Sequence, residues 1–193
     1  SDMKNKRAYF TTKWITYTAV LTALVVATGF IPPITTPAGR IYWVDGMVLL
    51  AAYLMGPLAA FIAGGVCSLL YDVFASPAMM LPSLLIHGLQ GAIVATLLHF
   101  VFPEKLIKWE WIWAIAVSVI GAAVVVGGYF IYRAVVYGVP TAVTNIPRNV
   151  IQEAIGISIA MIICYATTFK QQLKKNNLLP DFKNEVMEKS EDE

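Results

Sequence analysis

The sequence predicts an all-α integral membrane protein of six transmembrane helices with both termini cytoplasmic. Three observations carry that prediction. First, 58% of the 193 residues are hydrophobic and 13% are charged, where a soluble domain carries about a quarter of its residues charged. With a mean hydropathy of +0.68, a chain of this length cannot hide its apolar surface from water, so lipid is its main solvent. Second, apolar residues fall in runs at 14–31, 42–55, 58–75, 84–102, 111–138 and 144–169, against the roughly 20 helical residues that cross a bilayer core. Third, six spans place both termini and the loop 103–110 on one side. That side collects Lys4, Lys6, Arg7, Lys13, Lys105, Lys108 and every lysine from Lys170 onward, leaving only Arg40, Arg133 and Arg148 elsewhere. Five spans would split the terminal lysines across the membrane, so the positive-inside rule favours six. The formal net charge of +2 points to no nucleic-acid partner, because the basic residues flank apolar runs as topology signals do.

Residues 1–13 form a basic cytoplasmic segment leading into a first helix that lacks a small-residue cleavage pattern and is expected to be retained. That helix carries Ala19, Ala23 and Ala27, a small-residue stripe at i+4 spacing that lets another helix approach closely. The loop 31–40 holds Pro32, Pro33 and Pro37, which exclude helix and central strand and favour a stiff, extended path. Between the second and third runs, Gly56-Pro57 reads either as a tight turn or as a kink in one long helix. With the turn, both helices are short at about 1.5 Å per residue and are expected to pack beside loop material. The fourth, fifth and sixth runs are long enough to span, completing a transmembrane domain over 14–169. Residues 170–193 mix five lysines with six acids around Pro180, a composition too polar for a packed core, so this cytoplasmic tail is expected to be mostly disordered. Cys67 and Cys164 lie in apolar runs away from other metal-ligand residues and read as buried thiols.

An ionised side chain at mid-membrane costs about 3 kcal/mol or more, so each one asks for a partner or a task. Asp45 opens the second helix and Asp72 closes the third. His87 and Gln90 lie early in the fourth, Arg133 near the end of the fifth, and Arg148, Asn149, Gln152 and Glu153 early in the sixth. All fall in the outer half. On the sixth helix Asn145, Asn149, Gln152 and Gly156 share a stripe at i, i+4, i+7, i+11; Tyr129, Arg133 and Tyr137 share one on the fifth, and Ser83, His87 and Gln90 one on the fourth. Tyr42 and Trp43 end the proline loop above them. Together these residues predict a pocket open to the outside, with polar groups for orientation and aromatic faces for stacking a flat ring. Simpler roles fit single residues: an interfacial aromatic belt for the tyrosines and Trp43, snorkelling for the arginines, capping or arginine pairing for Asp45 and Asp72, and interhelical bonding for Asn149 and Gln152. Structural polar residues would scatter through both leaflets, whereas these gather in one. No phosphate-binding loop, nucleophile elbow, zinc-protease motif or paired intramembrane acid is present, so neither catalytic residues nor a metal or other cofactor is expected, and uphill transport would draw on another protein.

These features resemble the S components of bacterial energy-coupling factor (ECF) vitamin transporters, closest to the branch annotated for riboflavin-like or hydroxymethylpyrimidine and pyridoxine uptake. The likeness runs over about residues 8–170, through Ala19, Ala23 and Leu24, the stretch from Trp43 through Asp45 to Gly46, Gly56-Pro57, Gly64-Gly65, Gly128-Tyr129, Tyr137-Gly138, and Pro147-Arg148-Asn149 with Gln152. It implies a protein of the bacterial cell membrane that binds one vitamin, docks through its Ala19/Ala23 face on a transmembrane coupling subunit, and topples to release its cargo, driven by two ATPase subunits. It places Asn149, Gln152, Tyr129, Arg133, Asp72 and His87 at the ligand site and makes the loop before Tyr42 a lid. Family members often carry Lys where His87 stands, which bears on the ligand's charge.

The sequence therefore predicts non-covalent capture of a small, hydroxylated heteroaromatic vitamin, with pyridoxine-type B6 vitamers or hydroxymethylpyrimidine favoured over riboflavin or thiamine. The expected site comprises Tyr42, Trp43, Asp45, Asp72, His87, Gln90, Tyr129, Arg133, Asn149, Gln152 and Glu153. Both charge signs in one pocket suit a polar ring better than a fatty or strongly anionic solute. A lipid-acting membrane enzyme and a self-sufficient channel or secondary transporter are the competing classes.

Overall fold

The computed structural model describes residues 12–36, 39–101, 109–167 and 169–175. Its elements in chain order are α1 (Thr12–Gly29), a hairpin of β1 (Ile34–Thr36) and β2 (Gly39–Ile41), α2 (Val44–Leu54), α3 (Pro57–Ala75), α4 (Met80–Thr96), α5 (Glu110–Tyr137), α6 (Val139–Met161) and α7 (Phe169–Lys175). A single 3-10 turn, Pro77–Met79, links α3 to α4, and both α4 and α6 end in a π-helical turn, Leu97–Val101 and Ile162–Ala166. Four helical stretches, Pro57–Phe74, Pro77–Val101, Glu110–Tyr137 and Val139–Ala166, are long and apolar enough to cross a membrane, and α1 and α2 are shorter apolar helices.

The Gly56-Pro57 ambiguity resolves as a turn. Met55 leaves α2 in an extended conformation, and Pro57 starts α3 where its missing N–H has no helical partner to lose. The two helices then differ from the expectation that both are short. At 19 residues α3 reaches about 28 Å, long enough to span. Only α2, with 11 residues and about 16 Å, is short. Protein replaces lipid around it: α2 packs on α1, α3, α4 and α6, and Val48, Leu49, Ala52 and Tyr53 are fully buried.

The proline loop also departs from a purely irregular path. Ile34 pairs with Ile41 and Thr36 with Gly39 in a two-stranded antiparallel hairpin, which leaves every strand an edge and so respects the proline constraint. Glycine permits a close helix contact beside the fourth helix. A Cβ on Gly64 would lie 2.7 Å from the His87 carbonyl oxygen, so only glycine lets α3 approach α4 this closely. Between α5 and α6 the chain reverses at Gly138, whose φ of 87° is in the left-handed region that side chains disfavour.

Trp14, Leu49, Tyr53, Val94, Val117 and Cys164 anchor the main core, which fills the half of the bundle away from the hairpin. Tyr53 and Ser118 hydroxyls bond there at 2.6 Å. Cys67 and Cys164 are buried and unbridged, as read from the sequence. On α1, Trp14, Thr18, Val25 and Gly29 face inward, while Ala19, Ala23 and Ala27 are exposed beside Val20 and Leu24. The expected disorder of 170–193 meets a described helix at its start, since α7 runs to Lys175; residues 176–193, like 1–11, lie outside the described residues.

Candidate functional site

A cavity of about 240 Å³ opens at the hairpin end of the bundle. Because successive helices reverse direction, this end gathers the start of α2, the end of α3, the start of α4, the end of α5 and the first half of α6. Each contributes polar side chains: Asp45 from α2; Ser68, Tyr71 and Asp72 from α3; Ser83 and His87 from α4; Tyr129 and Arg133 from α5; Arg148 and Gln152 from α6. Tyr42 completes the wall from the segment after β2, with Met79 from the turn before α4.

Two hydrogen-bonded chains hold these groups. In one, Ser83 Oγ and Tyr129 OH lie 2.7 Å apart, and Tyr129 OH is 3.1 Å from His87 Nε2. His87 Nδ1 is 3.3 Å from Gln90 Oε1, and Gln90 Nε2 donates to Glu153 Oε2 at 2.7 Å. In the other, the Tyr42 backbone N–H donates to Gln152 Oε1 at 3.1 Å and Gln152 Nε2 donates to Asp45 Oδ2 at 2.5 Å. The chains meet where His87 Nδ1 approaches Asp45 Oδ1 to 3.2 Å. Since that oxygen accepts no aligned hydrogen bond, the contact is Coulombic and the Nδ1 proton is directed to Gln90. Asp45 is fully buried, a placement that costs several kcal/mol per ion unless partners compensate it; Gln152 and His87 are those partners. Above them the Tyr42 and Tyr71 rings meet edge to face, centroids 5.0 Å apart.

Seven residues expected at the site from sequence line this cavity: Tyr42, Asp45, Asp72, His87, Tyr129, Arg133 and Gln152. The others stand around it. Gln90 and Glu153 form the buried layer beneath His87. Asn149 is buried and accepts from Arg148 Nη2 at 2.9 Å. Trp43 donates its indole N–H to the Pro32 carbonyl at 3.1 Å, tying the proline segment to the start of α2. The stripe residues Asn145 and Tyr137 also point elsewhere: Asn145 bonds the Thr141 carbonyl of its own helix, and exposed Tyr137 packs on Tyr132. Sequence reasoning missed Ser68, Tyr71, Ser76 and Met79. Ser68 stands one turn before Asp72 on α3, a spacing that marks a shared face; Ser76 and Met79 belong to the α3–α4 turn, where no periodicity applies.

The pairing also differs from the alternatives left open by sequence. Asp45 partners His87 and Gln152, and among the described residues no arginine forms an ion pair with Asp45 or Asp72. A second polar cluster, unanticipated, closes the opposite end: Lys170 of α7 bonds Glu110 at the start of α5, and Tyr165 OH donates to the same carboxylate at 3.2 Å. Among the described residues, no group of His, Cys, Asp and Glu is arranged to hold a metal ion.

Comparison with known proteins bears on what such a cavity serves. The sequence model of the ECF-type riboflavin transporter S component family matches residues 9–168. The chain belongs to this family. Among its relatives is the thiamine precursor transporter HmpT of Lactococcus lactis subsp. cremoris, 31% identical over 155 residues, which cover 78% of this chain and 85% of that protein. An uncharacterized protein of Pyrococcus woesei is 35% identical over 127 residues, covering 66% of this chain and 81% of its own length. The resemblance to S components drawn from sequence is thereby established. This S component is a multi-pass membrane protein of a transport system rather than an enzyme, and its family implies an ECF module as partner and a small vitamin as substrate.

Proposed function

We propose that this S component captures a single-ring heteroaromatic vitamin or vitamin precursor from outside the cell, with the hydroxymethylpyrimidine part of thiamine and pyridoxine-type B6 vitamers as leading ligands. The observation that carries this reading is the buried polar wall running from Ser83 through Tyr129 and His87 to Asp45, Gln152 and the Tyr42 N–H around one cavity. It presents directional donors and acceptors beside aromatic rings, as recognition of a flat polar ring requires. The size favours a small ligand: about 240 Å³ lies below the roughly 300–1,000 Å³ typical of drug-sized sites, so a one-ring vitamin suits it better than a three-ring flavin. The name of the Lactococcus relative supports the pyrimidine candidate.

In this reading all six helices α1–α6 lie in the bacterial cell membrane with the cavity outward and both termini cytoplasmic, as the lysine distribution favours. The ligand binds non-covalently. The exposed Ala19, Ala23 and Ala27 face of α1 then meets the coupling subunit, and the protein topples to release its cargo inward while two ATPase subunits supply the energy. Calorimetry of the detergent-purified protein against a panel of water-soluble vitamins and precursors tests the first step. Saturable binding of a one-ring member is expected; absence of binding across the panel refutes the proposal.

A further inference from the structure

Two guanidiniums line the cavity, and among the described residues no carboxylate pairs with either. Arg133 of α5 and Arg148 of α6 both line it, and the Nε atom of each is cut off from solvent with no hydrogen-bond partner among the described residues. Arg148 reaches only a neutral acceptor, Asn149 Oδ1, and among the described residues neither guanidinium is within ion-pair distance of a carboxylate. The described carboxylates are otherwise committed. Glu110 holds Lys170 at the far end, Glu153 accepts from Gln90, and Asp45 is taken by Gln152 and His87. Asp72 alone remains beside two guanidiniums in the cavity wall. This differs from the sequence reading in which Asp45 pairs an arginine, because Asp45 is turned toward His87 and Gln152 instead.

A guanidinium partly withdrawn from water without a charged partner is disfavoured, and its planar fork matches the two oxygens of a carboxylate or phosphate. Two forks from adjacent helices in a cavity of about 240 Å³ suit a group that one fork cannot neutralise. We propose that the ligand's ring carries an anionic oxygen substituent, a phosphomonoester or a carboxylate, gripped jointly by Arg133 and Arg148, with Asp72 left for a ring N–H or hydroxyl. A phosphomonoester, at about −1.5 to −2 charge near neutral pH, is the better match to two cations. This rests on the reading of the cavity as a heteroaromatic site and names the substituent that the ring bears.

Calorimetry on the full-length protein in detergent tests it with two ring series: hydroxymethylpyrimidine and its phosphate, and pyridoxine, 4-pyridoxic acid and pyridoxine 5′-phosphate, with inorganic phosphate as reference. In whichever series binds, an anionic member is expected to bind at least about tenfold more tightly than the neutral alcohol, the scale of one charge-assisted hydrogen bond. Arg133→Gln and Arg148→Gln are each expected to remove most of that advantage, and the relative gains of ester and carboxylate identify which anion is preferred. Alcohols that bind as tightly as their anionic counterparts overturn this inference and leave the heteroaromatic reading standing. Inorganic phosphate that binds as tightly as the esters overturns it too, as the mark of a bare anion site. Absence of binding by every member of both series removes both readings. The comparison on the unsubstituted protein decides the matter even where an arginine variant fails to fold.

Discussion

Replacing Gln152 with leucine separates the wall of the cavity from the bundle that carries it. The substitution keeps most of the side-chain volume but removes the donor to Asp45 Oδ2 at 2.5 Å and the acceptor for the Tyr42 N–H at 3.1 Å. A hydrogen bond to a charged group is worth about 1.5–3 kcal/mol and a neutral one about 0.5–1.5 kcal/mol, so the two together bear on about 2–4 kcal/mol. Asp45 has no access to water to make good the loss. Part of the cost falls on stability in the absence of ligand, and part on affinity, because Asp45 and Tyr42 must then be ordered when ligand binds. The expected result is a lower thermal midpoint in detergent and a ligand affinity reduced by about 10- to 100-fold. Ser118→Ala supplies the control. It deletes a buried hydroxyl that bonds Tyr53 at 2.6 Å in the core beyond the cavity, so it is expected to lower the midpoint while affinity stays within about twofold, a change under 0.5 kcal/mol. A folded Gln152→Leu protein that binds ligand as tightly as the parent would refute the assignment of this wall to recognition.

Three further variants probe other parts of the molecule. Gly64→Ala introduces a Cβ 2.7 Å from the His87 carbonyl oxygen, so α3 and α4 must separate; a loss of about 1–3 kcal/mol in stability is expected from such overpacking, together with weaker binding as His87 moves, both read from thermal and calorimetric titrations. Ala19→Leu combined with Ala23→Leu changes only the exposed face of α1, so ligand binding in detergent is expected to persist while ATP-driven uptake into proteoliposomes containing the ECF module is lost; retained uptake would show that the module docks elsewhere. Lys170→Met removes one partner of the Glu110 carboxylate and leaves its bond with Tyr165. Because Glu110 keeps partial solvent access, the expected penalty is a modest ~1–2 kcal/mol in stability with no change in ligand affinity.

The depth of the polar residues was legible in the sequence for a physical reason. Helices that reverse direction at every turn bring the start of one beside the end of the next, so Asp45 near the start of α2, Asp72 and Arg133 near the ends of α3 and α5, and the mid-helix His87 and Gln152 line one cavity. The burden of holding charge in an apolar run makes those positions conspicuous. Partner choice was not legible, because it depends on azimuth and on close approaches that periodicity does not encode. Asp45 faces His87 rather than an arginine where glycine lets α3 and α4 close up at the His87 backbone and α2 crosses α6 near Gln152. For the same reason Asn149 and Gln152, neighbours on one stripe, take different tasks: one accepts from Arg148, the other lines the cavity. The Glu110–Lys170 contact escaped notice because the two residues are far apart in sequence and each had a sufficient explanation as a charge beside a membrane-spanning run. Charge that sets topology can therefore also tie helices together. Arg133 and Arg148 are the outer-half counterpart, residues that a snorkelling role would have explained, yet which the fold turns toward one cavity and, among the described residues, leaves without an ion-pair partner.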